Sequence, residues 1–192
     1  MKFRLFAAIA VLAVSTVAAH AQAAIYFNPV VTRVTNSTPD IGPFAFLGQN
    51  STSQMFYGVN LGGYYTFYQN GKTEVALDVR DTLQHGNNAS LNLFLVGVKV
   101  QTSPFKRPIK PYIQVSGGAG TTKAPTNPTH VTKGTFGAFA GIDYTLQRHI
   151  DFRVIEVGYT SLTTVSRATV GGNATIPSSN LLSFGTGVVF RF

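Results

Sequence analysis

From residue 57 onward, apolar side chains recur at every second position in runs separated by clusters of Gly, Pro, Asn and Ser. That period belongs to a strand with two unlike faces, and no comparable stretch carries the 3.6-residue period of a helix. The runs are Tyr57 to Phe67, Thr73 to Leu83, Leu91 to Thr102, Lys110 to Thr121, Gly134 to Leu146, Ile150 to Leu162 and Asn180 to Phe192. An initial strand within Ile25 to Thr35 brings the count to eight. Between the second and third, Gln69-Asn70-Gly71-Lys72 predicts a hairpin, because Asn-Gly suits the positive φ angles of a type I′ turn.

The last run ends in Val188-Val189-Phe190-Arg191-Phe192, with Phe184, Val188, Phe190 and Phe192 on one face and Ser183, Gly185, Gly187 and Arg191 on the other. A strand at a chain end leaves a row of unpaired donors and acceptors unless the sheet closes on itself. The connections alternate as well. Those at Asn36 to Gln54, Gln84 to Ser90, Thr122 to Lys133 and Thr163 to Ser179 read as loose, and those at Gln69 to Lys72, Ser103 to Ile109 and Gln147 to His149 as mostly tighter. The expected fold class is all-β: an eight-stranded antiparallel up-and-down transmembrane barrel with short periplasmic turns and longer extracellular loops. Both termini then fall on the periplasmic side.

The two faces differ in chemistry. Tyr57, Val59, Leu61, Tyr65, Phe67, Val75, Leu77, Val79, Phe94, Val96, Val98, Val100, Ile113, Val115, Ala138, Ala140, Ile142 and Tyr144 are assigned outside. Asn60, Gly62, Tyr64, Glu74, Asp78, Arg80, Lys99, Gln114, Ser116, Gly137, Gly141 and Asp143 face inward, so polar groups collect in the lumen. A soluble barrel reverses this arrangement. Charged residues are 11% of the chain, less than half of the roughly 25% of a soluble domain. Tyr26, Phe27, Phe67, Tyr68, Tyr112, Tyr144, Phe152, Phe190 and Phe192 share one height and predict an aromatic girdle at a membrane interface. Gly58, Gly62, Gly97, Gly118, Gly120, Gly137, Gly141, Gly185 and Gly187 fall on the inward register, where a narrow barrel needs room for long side chains.

At the amino end, Lys2 and Arg4 precede an apolar run from Leu5 to Val14 and then Ala19-His20-Ala21 or Ala21-Gln22-Ala23. This is the order of a cleavable secretory signal over residues 1–23, cut after Ala21 or Ala23, with a barrel domain over 24–192. The mature chain of 171 or 169 residues suits one domain. Cysteine is absent, so stability comes from packing, closure or lipid. The formal net charge of +8 falls to +6 without Lys2 and Arg4, and the remaining cations are scattered except Lys106, Arg107 and Lys110. Export and that scatter argue against nucleic acid.

Taken together, the terminal Val188 to Phe192 segment, the stretch Phe136-Gly137-Ala138-Phe139-Ala140-Gly141-Ile142-Asp143-Tyr144, and Asp151-Phe152-Arg153-Val154-Ile155-Glu156-Val157-Gly158-Tyr159 after a tight turn resemble the small OmpA-like and OmpX-like outer-membrane barrels. The resemblance spans roughly 24 to 192. It implies residence in a Gram-negative outer membrane, with membrane lipid and lipopolysaccharide as surroundings, a monomeric state, and Phe190 and Phe192 as the signal read by the barrel assembly machinery. Unlike the larger OmpA proteins, no soluble domain follows the last strand, so cell-wall anchoring is not implied. Pro29 fits a closed sheet poorly, since it lacks a ladder donor.

For chemistry, Glu74, Asp78, Arg80, Lys99, Asp143, Arg153, Glu156 and Arg191 form the expected interior charge network, provided a bulge near Val154 and Ile155 turns both Arg153 and Glu156 inward. Ions in a narrow lumen must pair, because an isolated buried charge costs several kcal/mol. The network reads as a plug, or by resemblance as a gate for water or small ions. Catalysis is not expected: of His85, His130 and His149, two sit in expected loops and one in a turn, and none precedes a strand serine by two positions as in the deacylase barrels. No metal spacing accompanies His85 or His130, and Gly117-Gly118-Ala119-Gly120 lacks the helix and Lys of a phosphate loop. Neither a cofactor nor a metal is implied. Three functions remain: a structural membrane barrel, a narrow channel, and an adhesin or receptor acting through loops.

Overall fold

The computed structural model describes residues 23–37, 39–42, 45–103, 108–162 and 179–192. Residues 1–22 of the expected signal segment, Lys106 and Arg107 of the basic cluster, and residues 163–178 lie outside them. Eight strands, β1 (Ala23–Asn36), β2 (Ser53–Asn70), β3 (Thr73–Gly86), β4 (Ala89–Thr102), β5 (Ile109–Lys123), β6 (His130–Gln147), β7 (Ile150–Leu162) and β8 (Ser179–Arg191), pair in sequence order. β8 returns to pair antiparallel with β1, and the barrel closes. Every strand alternates burial and exposure because successive side chains point to opposite faces. The strands run beyond the expected limits at several ends, most of all in β2, which spans Ser53–Asn70, and at the start of β6, which begins at His130.

One connection departs from the expected alternation. Residues 84–90 are no loose loop: β3 and β4 join through Asn87 and Asn88 alone, at φ 49° and 62°. Two consecutive asparagines tolerate the left-handed region that a two-residue hairpin demands. In the β2–β3 turn Asn70 stays in the ladder and Gly71 takes the left-handed angle, so the turn is Gly71-Lys72. The β4–β5 connection, 103–108, agrees with the expected Ser103 to Ile109 to within one residue.

Pro29 is accommodated by an interruption in the closing seam. β1 pairs with β2 through it, opposite Val59, whereas the β1–β8 ladder runs Phe27↔Val188 and then Val30↔Gly185. Its missing donor coincides with missing rungs. A bulge in β7 lies on the other side of β8: Arg153 pairs with Gly187 and Glu156 with Gly185, leaving Val154 and Ile155 opposite Thr186. Val154 and Ile155 are exposed, while Arg153 and Glu156 are buried.

The outer wall is apolar. Ile25, Phe27, Tyr57, Leu61, Tyr65, Phe67, Leu77, Phe94, Val96, Val98, Ile113, Val115, Phe136 and Phe184 are all exposed, a surface stable against hydrocarbon rather than water. Seven of the nine expected girdle aromatics stand on this wall. Tyr26 and Tyr112 do not: both are 3% exposed inside the barrel. Among the described residues no helix is long and apolar enough to cross a membrane.

Candidate functional site: the barrel lumen

The lumen is filled in layers. Nearest the termini, Asp151 of β7 is fully buried and pairs with Arg191 of β8 at 2.8 Å and Lys110 of β5 at 3.1 Å. Arg191, assigned to the central network from sequence, belongs to this separate cluster. Asp151 and Lys110 were not assigned to the network. Beside the rim, His149 Nδ1 lies 3.1 Å from the Arg191 carbonyl.

Above it sits the central ion layer, three cations and three carboxylates in contact. Arg153 Nε donates to Asp143 at 2.9 Å and its Nη1 to Glu156 at 3.1 Å. Arg80 donates from Nη1 and Nη2 to the two oxygens of Glu156 at 3.0 and 3.1 Å, and from Nε to Asp78 at 3.4 Å. Lys99 donates to Asp143 at 3.3 Å. Neutral groups complete the set. Tyr26 donates its hydroxyl to Asp78 at 3.0 Å, Tyr112 to Glu156 at 2.6 Å, and Gln114 its amide to Asp78 at 2.7 Å while accepting from Arg80 at 2.9 Å. The Asn28 amide, oriented to satisfy both neighbours, accepts from Arg153 Nη1 at 2.9 Å.

The aromatic rings also hold the cations by their faces. Lys99 Nζ lies 4.1 Å from the Tyr64 ring and 4.2 Å from that of Tyr112, and the Arg153 guanidinium lies 4.7 Å from the rings of Tyr26 and Tyr112. Removed from water, such contacts are stronger than at a surface. Glycine makes room for them. A Cβ on Gly62 would strike the Tyr26 ring and one on Gly141 would lie 2.5 Å from the Tyr112 hydroxyl.

Six of the eight network residues predicted from sequence therefore meet: Asp78, Arg80, Lys99, Asp143, Arg153 and Glu156. Glu74, half-buried near the Gly71-Lys72 turn, stands apart from them. Height along the strands alone puts the aromatic partners Tyr26 and Tyr112 on the outer wall, and the structure places both inside. Parity contains the missing signal: Tyr112 shares a face with inward Gln114, and Tyr26 with Asn28.

The third layer corrects the expectation of a polar lumen. Val34, Phe56, Ala89, Leu91, Leu93, Leu95, Phe139, Leu162 and Leu181 form an apolar cluster inside the half farther from the termini, completed by Phe46 and Leu47 of loop 37–52. The middle of β4 is apolar on both faces, with Leu91, Leu93 and Leu95 inside and Phe94, Val96 and Val98 outside. The described residues 45–47 of loop 37–52 cover the mouth. Asp40 accepts from the Leu47 backbone at 2.9 Å, turns close at Ala45 to Gly42 and Gly48 to Ala45, and Phe46 stacks on Phe56 at 5.0 Å. The Arg80 guanidinium lies 4.0 Å over the Phe139 ring, joining the two layers. Between them is a cavity of about 20 Å³ edged by Asn60, Thr32, Thr160 and Glu156, space for about one water.

His85 and His130 are not loop residues: His85 is the last but one residue of β3 and His130 the first of β6. Among the described residues no group of three His, Asp or Glu side chains is placed to hold a metal ion.

A family model, the outer membrane protein beta-barrel domain, matches residues 9–192. Among solved structures the chain is similar to Neisserial surface protein A, at 13% identity and a TM-score of 0.56, covering 88% of this chain and 97% of that one. It is also similar to Ail, the attachment invasion locus protein of Yersinia pestis, solved with the heparin analogue sucrose octasulfate, at 14% identity and a TM-score of 0.52, covering 90% and 99%. At these identities the likeness is one of fold. No curated protein sequence matches the chain.

Proposed function

The chain belongs to the outer membrane protein beta-barrel domain family, a family of the Gram-negative outer membrane, and we propose that it serves there as a sealed, non-enzymatic structural barrel. The observation that carries this reading is double closure: a paired ion layer and an apolar layer fill the same lumen. Ions meet a dehydrated apolar stretch on one side and fixed, mutually satisfied charges on the other, and both oppose permeation. A narrow channel would require both layers to move. Loop 37–52 turns its Phe46 and Leu47 into the mouth, which supports a structural use of that loop over a binding one.

In the proposed arrangement both termini, with the turns at 71–72, 103–108 and 148–149, lie on the periplasmic side. The connections at 37–52, 87–88 and 124–129 face outward. The barrel acts as a monomer in contact with lipid and lipopolysaccharide, inserted by the assembly machinery through the strand ending in Phe190 and Phe192. Planar-bilayer recording on refolded protein tests the sealed lumen: no stepwise conductance is expected, and regular open levels sink the reading in favour of the channel.

A further inference from the structure

The outer wall of β3 to β6 bears a polar patch where its surroundings are apolar. Ladder pairing sets His85 beside Ser90, Ser90 beside Lys123, and Lys123 beside His130. The adjoining row, one step toward the middle of the wall, runs Leu83, Asn92, Thr121 and Thr132, again paired neighbour to neighbour. Thr121 and Thr132 share a hydroxyl hydrogen bond of 2.8 Å, so their side chains lie on one face, and Lys123 and His130, two positions further, lie on it too. Gln84 and Leu91, of opposite parity, are buried, whereas His85 and His130 are exposed. His85, Ser90, Asn92, Thr121 and His130 edge a depression of about 350 Å³.

The chemistry of the patch is one-sided. Its two rows hold a lysine, two histidines, hydroxyls and an amide, and no carboxylate. The first carboxylate on this face of β3 is Asp81, four residues and about 13 Å from His85. Tyr57, exposed, sits directly across from His85 on β2. Next to the patch the wall turns apolar at Leu83, Phe94, Val96 and Val98. A soluble anion would meet only the lysine, the imidazoles and the neutral donors. A lipid would be held twice, its headgroup by those groups and its chains by the wall beside them.

We infer that this patch binds the anionic phosphate headgroup of a membrane lipid, with Lys123 and His130 against the phosphate, His85 at its far edge, and Ser90, Asn92 and Thr121 donating hydrogen bonds. The site requires the lipid-facing wall and is independent of whether the lumen is sealed.

Native mass spectrometry on the refolded protein in neutral detergent tests it, titrating phosphatidylglycerol against phosphatidylcholine with the same acyl chains. The wild type should retain phosphatidylglycerol preferentially. The variant H85A/K123A/H130A should hold it roughly tenfold more weakly, while R33A, which removes an exposed cation from the β1 wall, should leave it unchanged. Equal retention of the two lipids, undiminished retention by the triple variant, or an equal loss in R33A overturns the site. Displacement of phosphatidylglycerol by millimolar inorganic phosphate overturns the lipid in favour of a soluble anion. Unboiled gel mobility checks folding. If the triple variant fails that check, K123Q alone should weaken retention, and no weakening counts against the site.

Discussion

Arg153 reaches Asp143 and Glu156 at once while its guanidinium lies over Tyr26 and Tyr112. Removing it leaves three buried carboxylates to share two cations. Breaking a buried ion set in this way costs about 3–5 kcal/mol, whereas removing charges in matched pairs costs far less. Glu156 is the matched partner: without both, Arg80 keeps Asp78 and Lys99 keeps Asp143. Arg153→Met should therefore lower the unfolding free energy in denaturant by several kcal/mol, and adding Glu156→Gln should restore part of it. Equal losses would show that the layer is not a set of pairs. At this scale the charged members were legible because a charge in a narrow barrel has few places to go. Tyr26 and Tyr112 were misplaced because aromatic rings suit both an interface and a cation, and only their parity with Asn28 and Gln114 separates the two.

Elements were legible wherever the two faces of a strand differ. The bulge in β7 is such a case: Arg153 and Glu156 cannot both face inward at a spacing of three without an extra residue, and Val154 with Ile155 supplies it. β4 is the contrary case. With Leu inside and Val or Phe outside, period two marks a strand but says nothing of what fills the lumen, so the apolar layer was invisible. The Asn87-Asn88 turn was hidden by composition, since Gly, Asn and Ser serve loops and two-residue turns alike. Asn88, at φ 62°, should resist Val: Asn88→Val is expected to lower stability by about 1–2 kcal/mol, with Asn88→Gly near neutral, both read by chemical denaturation.

Loop 37–52 gives an element-scale prediction in pH. Burial pushes the Asp40 carboxyl above its usual range, only partly offset by the backbone donors of Leu47 and Phe46. The folded loop then holds a proton more readily than the open one. Its stability is complete below the ordinary aspartate pKa and declines as pH rises through the raised value. Amide hydrogen exchange at Leu47, corrected for intrinsic rates, should show protection falling across that window. In Asp40→Asn the protection should be flat with pH. A fall that persists in the variant would assign the effect to another group.

At the scale of the whole molecule, the layers seal by different physics and so fail separately. The ion layer blocks because its charges are fixed and satisfied, and the apolar layer blocks because water does not wet it. Loss of one layer leaves the other in place. Arg80→Ala with Glu156→Ala should open the lower lumen yet leave the barrel silent in planar-bilayer recording, since Leu91, Leu93, Leu95, Phe139 and Leu181 remain packed beneath Phe46 and Leu47. Adding Leu93→Ser and Phe139→Ser places hydroxyls in that stretch and should produce intermittent conductance. Conductance from the charge variant alone would mean that the apolar layer does not close the lumen, and that the six paired residues carry the seal by themselves.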